Sequence, residues 1–266
     1  MNKGIEIFSL KGKTALITGA TGHLGTSMAV ILAEAGAKVL INSRSTAKCD
    51  ALAERLKAEG YLAESAAFDV SSNVDVMAFA ERVKGEPMHI LVNNAYVGGA
   101  GSVEFSDTKA YMASYDVTLI AAHRLLQAML PSLRLAVHQC GDASVINLSS
   151  MYGIVSPDQR IYDSVSFVNP PFYGAAKAAI LQWTRYAACE FGKEGIRVNA
   201  VSPGPFPSPE VQAANPAFIK KLVDKVPIGR IGVSDEIKGP LVFLASSAAS
   251  FVNGANVVVD GGWTSW

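Results

Sequence analysis

Tyr173 and Lys177 stand four residues apart in YGAAK, and Ser150 lies upstream in INLSSMYG. On a helix, a four-residue spacing brings two side chains onto one face. A free phenol has a pKa of about 10 and is a poor acid or base near neutrality. An ammonium beside it favours the phenolate, lowers that pKa and suits the hydroxyl to proton transfer. Ser150 can hydrogen-bond the same substrate oxygen. The chemistry implied is proton exchange with an alcohol or carbonyl oxygen, with Ser150, Tyr173 and Lys177 as its catalytic groups. A lone Tyr-x-x-x-Lys match arises by chance in many helices, so its weight depends on its surroundings.

Those surroundings begin near the N-terminus. KTALITG reads as a short buried strand, Thr14 to Thr18, running into Gly19, Ala20, Thr21, Gly22, His23, Leu24 and Gly25. An apolar helical pattern follows through Met28, Ile31, Leu32 and Ala35. A strand, a glycine-rich turn and a helix N-terminus form a phosphate-binding device: glycines let the backbone approach a pyrophosphate, and the free helix N–H groups favour its charge. The plainer alternative is a tight turn that binds nothing.

With both features the chain resembles the short-chain dehydrogenase/reductase family over nearly its whole length. The likeness includes Asp69 in AAFDVSS, Asn93-Asn94-Ala95 in LVNNAY, IRVNAVSPG with Asn199, Pro203 and Gly204, and the closing VVVDGGW. The resemblance implies that Tyr173 is the acid/base and that Ser150 orients the substrate oxygen. Lys177 would lower the Tyr173 pKa and hold the nicotinamide ribose. Asp69, with Val70, would meet the adenine, and Asn93 would support the cofactor. Ala95, Pro203, Gly204, Phe206 and Ser208 are further cofactor positions by the same likeness. It also implies a small-molecule substrate and a homo-oligomer, expected to be a tetramer.

Strand-like runs at Thr14–Thr18, Lys38–Asn42, Leu62–Phe68, Ile90–Asn93, Ser144–Leu148, Arg197–Ser202 and Asn256–Val259 alternate with helical patterns. This predicts an α/β fold: a Rossmann-type doubly wound parallel sheet of about seven strands with helices on both faces. One domain over 1–266 is expected, with a cofactor half to about residue 150 and a catalytic and substrate half after it. The longest helix is expected from Thr108 to Leu135, with Tyr111, Tyr115, Leu119, Ala122, Leu126 and Met129 on its core or subunit face.

Four departures from the family pattern bear on function. The glycine turn reads TGATGHLG, with His23 in a usual glycine position; His23 either faces the cofactor phosphates or is an exposed turn histidine. Thr118, in DVTL, occupies the place of an Asn that completes a catalytic tetrad in many members; it is taken as the fourth catalytic position, since its hydroxyl can also bind a relay water, but its shorter side chain puts that relay in doubt. Ser150 and Tyr173 are further apart than is usual, and the extra segment Ser156–Pro171 is polar. It is expected either to wall the substrate pocket, with Arg160 as partner for a carboxylate or phosphate, or to pack as a solvated loop. Tyr96 replaces the glycine of NNAG and is expected to wall the cofactor or substrate pocket. Glu210–Pro227 is expected to form a lid.

Cofactor choice is read from VLINSRS. An acidic residue after the second strand binds a ribose 2′-hydroxyl, whereas Arg binds a 2′-phosphate. Ser43 stands where NAD-dependent relatives carry Asp, and Arg44 follows, which favours NADP over the alternative, NAD. With 23 basic and 23 acidic residues and no basic block, neither nucleic acid nor a membrane surface is an expected partner. Cys49, Cys140 and Cys189 form no metal-ligand pattern and suit a reduced cytoplasmic setting. The expected activity is hydride exchange between NADP and a sugar, polyol or sugar acid. The alternatives are a 3-oxoacyl thioester reductase and, in another class, a nucleotide-binding regulator without turnover.

Overall fold

The computed structural model describes residues 3–266. A short helix, α1 (Lys3–Glu6), precedes β1 (Thr14–Ile17). The sheet continues with β2 (Lys38–Ile41), β3 (Ala63–Ser65), β4 (Ile90–Asn93), β5 (Ala143–Leu148), β6 (Ile196–Pro203) and β7 (Asn256–Val259). All pair in parallel, in the order β3-β2-β1-β4-β5-β6-β7. The near-continuous apolar runs of β4, β5 and β6 are buried throughout, as strands covered on both faces require. Ala15 and Ile17 point to one core and Leu16 to the other, the two-residue alternation of a pleated strand.

One core packs α2 (His23–Glu34), α3 (Thr46–Ala58) and α10 (Lys238–Ala245) on the sheet through Met28, Leu32, Leu56 and Leu241. The other face carries α4 (Asn73–Arg82), α6 (Ala121–Cys140) and α7 (Pro171–Phe191) through Phe79, Leu125, Met129 and Ala187. Strand order reverses between β1 and β4, and the crevice at the carboxyl ends of those strands is where such sheets bind ligands.

Two expectations change. The third strand is regular only over Ala63–Ser65 of the predicted Leu62–Phe68, although the N–H groups of Ala66 and Phe68 still donate to the Ile41 and Ser43 carbonyls. The long helix is not continuous: α5 (Thr108–Tyr115) passes into a π-helical turn, Asp116–Ile120, and only then into α6, which runs on to Cys140. A π turn inserts an extra residue, so the face before it is rotated against the face after it. Ala122, Leu126 and Met129 are buried, while Tyr111, Tyr115 and Leu119 are only half-buried. At the close of the sequence, Trp266 is 80% exposed and Trp263 6%.

Candidate active site

A cavity of about 580 Å³ runs along the carboxyl ends of the strands. At its centre is the turn after β1. Gly19 has φ +61, and a Cβ on Gly25 would lie 2.1 Å from the Gly19 carbonyl oxygen, so only glycine permits this close approach. Thr18 locks the turn to β4. Its Oγ1 accepts from the N–H groups of Asn94 (2.9 Å) and Ala95 (3.1 Å), and the Asn94 side chain donates to the carbonyls of Thr18 and Gly19, both at 3.0 Å. Thr21, Gly22, His23 and Leu24 line the cavity where α2 begins. His23 is both exposed and cavity-lining, so the two readings of it are compatible.

Asn93 does not face this cavity. It is buried, and its Nδ2 donates to Asn147 Oδ1 at 2.8 Å; Asn147 in turn donates to Thr184 Oγ1 at 2.9 Å. The expectation for Asn93 therefore passes to its neighbour Asn94, which lines the cavity. Thr18 and Asn94 are the residues that sequence reasoning missed. The Asn-Asn doublet signalled them, but a doublet does not say which member faces forward.

At the β2–β3 end the walls are Ser43, Arg44, Phe68, Asp69 and Val70. The Ser43 hydroxyl is occupied locally, accepting from the Ser45 N–H at 3.3 Å and touching Cys49 Sγ at 3.1 Å. Arg44 is exposed at the lip. Burial pushes the Asp69 carboxyl up, but hydrogen bonds from Ser71 and the charges of Arg44 and Arg124 outweigh it and leave the carboxyl below its ordinary range.

At the other end, β5 delivers Ser149 and Ser150, and α7 delivers Tyr173 and Lys177. A Cβ on Gly153 would lie 2.7 Å from the Lys177 carbonyl oxygen, so this glycine lets α7 sit against the serine turn. Burial, only partly offset by the Ser150 hydroxyl, pushes the Tyr173 hydroxyl up to about 12. Lys177 is 2% exposed, and its Nζ donates to the Leu148 carbonyl at 2.6 Å. Burial lowers its pKa to about 7. The expectation that Lys177 depresses Tyr173 is not met in the free chain. A lysine whose own charge is penalised this strongly is only partly protonated near neutrality, and the desolvation of the phenol prevails.

Thr118 lies in the π turn with its Oγ1 buried and without a hydrogen-bond partner. Its neighbour Val117 lines the cavity; Thr118 does not.

The cavity's far end is walled by Tyr96, Val97, Pro203, Gly204, Phe206, Pro207, Ser208 and Val211. The Tyr96 ring stands edge-on to Tyr173, with centroids 6.0 Å apart. Val211 of α8 (Pro209–Ala214) lines this end, and α9 (Pro216–Val223), the rest of the expected lid, follows it without reaching the cavity wall. Residues 156–171 contribute nothing to the cavity wall. Arg160 turns outward, 86% exposed, and donates twice to Asp158, at 2.9 and 2.8 Å; it is not placed to meet a substrate anion. The segment braces the lid instead. Asp158 also pairs with Lys225, just beyond α9, and Asp163 with Lys221 of α9 at 2.5 Å. The Tyr152 and Tyr162 hydroxyls meet at 3.0 Å, and Ile161 packs with Leu222, Val226 and Trp263.

A glycine-turn cleft at the switch point, with a half-buried tyrosine, a lysine and a serine at one end, defines a dinucleotide-type α/β oxidoreductase site. The model of a family described as enoyl-(acyl carrier protein) reductase matches residues 19–264. The 2-dehydro-3-deoxy-D-gluconate 5-dehydrogenase of Dickeya dadantii is 33% identical over 268 residues, covering 97% of this chain and 98% of that protein. The 3-oxoacyl-acyl-carrier-protein reductase of Pseudomonas aeruginosa is 32% identical, covering 96% of this chain and 98% of its own. Among solved structures, a gluconate 5-dehydrogenase from Burkholderia cenocepacia in complex with NADP and tartrate superposes with a TM-score of 0.87 and 32% identity. That match covers 98% of this chain and 99% of that one. The chain belongs to the short-chain dehydrogenase/reductase family and is an oxidoreductase.

Proposed function

We propose that the chain binds NADP and interconverts a carbonyl and a secondary alcohol on a small molecule, with the sugar and polyol class first. The observation that carries this is the convergence of Ser150, Tyr173 and Lys177 at one end of the cleft whose centre is the Gly19–Gly25 turn. The cleft fits the cofactor. The space that a Cβ at Gly25 would fill is closed to any other residue, and the N-terminus of α2 faces an anion there. The segment after β2, NSRST, holds no carboxylate, and Arg44 is free to meet a ribose phosphate. Bound NADPH would supply the hydride. Ser150 holds the substrate oxygen, Tyr173 gives it a proton, and Lys177 anchors the ribose beside them. Asp69 and Val70 close the adenine end, and Gly204, Phe206 and Ser208 form the opposite wall.

The apolar walls at Val97, Phe206 and Val211 favour one second reading, a 3-oxoacyl thioester reductase. Assays with NADPH against ketoses and against acetoacetyl thioesters separate the two. The whole reading is tested by Tyr173→Phe, which removes only the hydroxyl. NADPH should still bind while turnover falls by at least ~10²-fold, as for a lost acid/base; near-parental turnover refutes it.

We also read the chain as a cytoplasmic homotetramer. Among the described residues, no helix is long and apolar enough to cross a membrane. Phe251, Trp266 and the half-exposed edge strand β7 supply apolar surface of the kind that marks interfaces. Light scattering decides the assembly, and a monomer mass rules it out.

A further inference from the structure

The charges in the cleft are unevenly placed. The sheet order puts Arg44 and Asp69 over β2 and β3, and His23 at the central turn. Around Tyr173 and Ser150 the walls are Tyr96 and Val97, which follow β4, and Phe206, Pro207, Ser208 and Val211, which follow β6. Among the described residues, no arginine, histidine or second lysine lines that end. Lys177 is the one cation near the reacting centre, and its Nζ is held by the Leu148 carbonyl.

Four cations around the rim are engaged with carboxylates. Arg160 and Lys225 share Asp158, Lys221 holds Asp163, and Arg230 makes a two-point pair with Glu236. The helix that overhangs the cavity, α8, reads PEVQAA, so its only charge is the carboxylate of Glu210. A carboxylate entering this end would lose its water and find no arginine or histidine in the wall to pair with. Burying an unpaired charge is strongly unfavourable. The Tyr96 ring, edge-on to Tyr173, instead offers a flat apolar surface beside the reacting oxygen.

Resting on the oxidoreductase reading above, we infer that the substrate is an uncharged carbonyl compound or secondary alcohol with an apolar flank against Tyr96 and Val211. Carboxylate-bearing sugar acids are then poor substrates, although several relatives are named for them. Tyr96 and Val211 are the residues that set this preference.

The test uses the full chain with NADPH and two matched pairs. One pair is 4-methylcyclohexanone against 4-oxocyclohexanecarboxylate; the other is a ketose against a keto-aldonic acid of equal length. The neutral member of each pair should show kcat/KM at least about tenfold higher, the discrimination expected where a charge is left unpaired. In Val211→Arg, a half-exposed position that tolerates a long side chain, the ratio should move toward the acid by about tenfold. Equal or better use of the acids by the parent chain overturns the inference and leaves the oxidoreductase reading standing. An unmoved ratio in Val211→Arg overturns the role of the α8 rim. Reduction of none of the four compounds, while NADPH fluorescence reports binding, overturns both.

Discussion

Lys177 donates its Nζ proton to the carbonyl oxygen of Leu148 at 2.6 Å, so the lysine of the YGAAK turn is anchored to the end of β5 rather than directed at the phenol. Its Nζ lies 5.6 Å from the ring centroids of both Tyr173 and Tyr96. The phenol therefore keeps its proton in the free chain.

A pH dependence follows from the Tyr173 hydroxyl, pushed up to about 12. Reduction needs the protonated phenol, which is the dominant form through neutral and mildly alkaline pH. Oxidation needs the phenolate, whose fraction rises about tenfold per pH unit below the pKa. Lys177, at about 7, titrates within the same range and acts on both directions, so the ratio of kcat/KM for oxidation to that for reduction should climb from about pH 6 to 9. A plateau in that ratio below about pH 8 would show that the phenolate forms far more readily than its burial implies.

Cofactor preference should follow Arg44. Replacing Ser43→Asp together with Arg44→Ala offers an acceptor to a ribose hydroxyl and removes the cation. Losing a charged hydrogen bond of this kind costs roughly 1.5–3 kcal/mol, so NADP binding should weaken and NAD binding strengthen. Fluorescence titration of both cofactors reads this out. Tighter NAD than NADP binding by the parent chain contradicts the reading.

Thr118 gives a test in which stability and activity are separable. Its Oγ1 is buried with no partner, and an unsatisfied buried hydroxyl costs about 1–3 kcal/mol. Thr118→Val keeps the shape and removes the polar atom. It should raise the urea midpoint with no loss of kcat. A fall in kcat at unchanged or lower stability would show that the hydroxyl holds a relay water.

The paired contacts between the insertion and α9 can be cut without touching the cavity. Lys221→Met with Lys225→Met removes both links to Asp163 and Asp158. With the lid less firmly held, KM for substrate should rise several-fold while KM for NADPH changes little. In the parent chain, added salt should reproduce part of the effect by screening. Equal KM values in parent and variant would show that the apolar contacts of Ile161 suffice.

The sheet and most of the cleft are legible in the sequence because their signals are local. Buried strands announce themselves as short apolar runs, and Gly19, Gly25, Ser150, Tyr173 and Lys177 sit in compact motifs tied to single elements. What the sequence hid depends on direction and on distant partners. Asn93 and Asn94 are alike in type, and only the pleat of β4 decides that the first turns toward Asn147 while the second reaches Thr18. Arg160 is a plausible anion ligand by type, but Asp158 two residues earlier captures it. The π turn at Thr118 leaves no trace in an apolar pattern that both helical phases nearly satisfy. In the free chain, burial raises the Tyr173 pKa and lowers that of Lys177, against the effect that their proximity in sequence suggests.

Trp263 is enclosed by Tyr152, Leu222 and Val226, where the serine turn, the lid and the chain's final segment meet. Of the chain's three tryptophans, it is the one whose surroundings change if α9 lifts. Its emission is therefore a built-in optical gauge of that junction. In a Trp266→Phe background, which silences the exposed tryptophan, a red shift would report water reaching the indole as the lid opens. Opening rates could then be followed by stopped flow with no label attached.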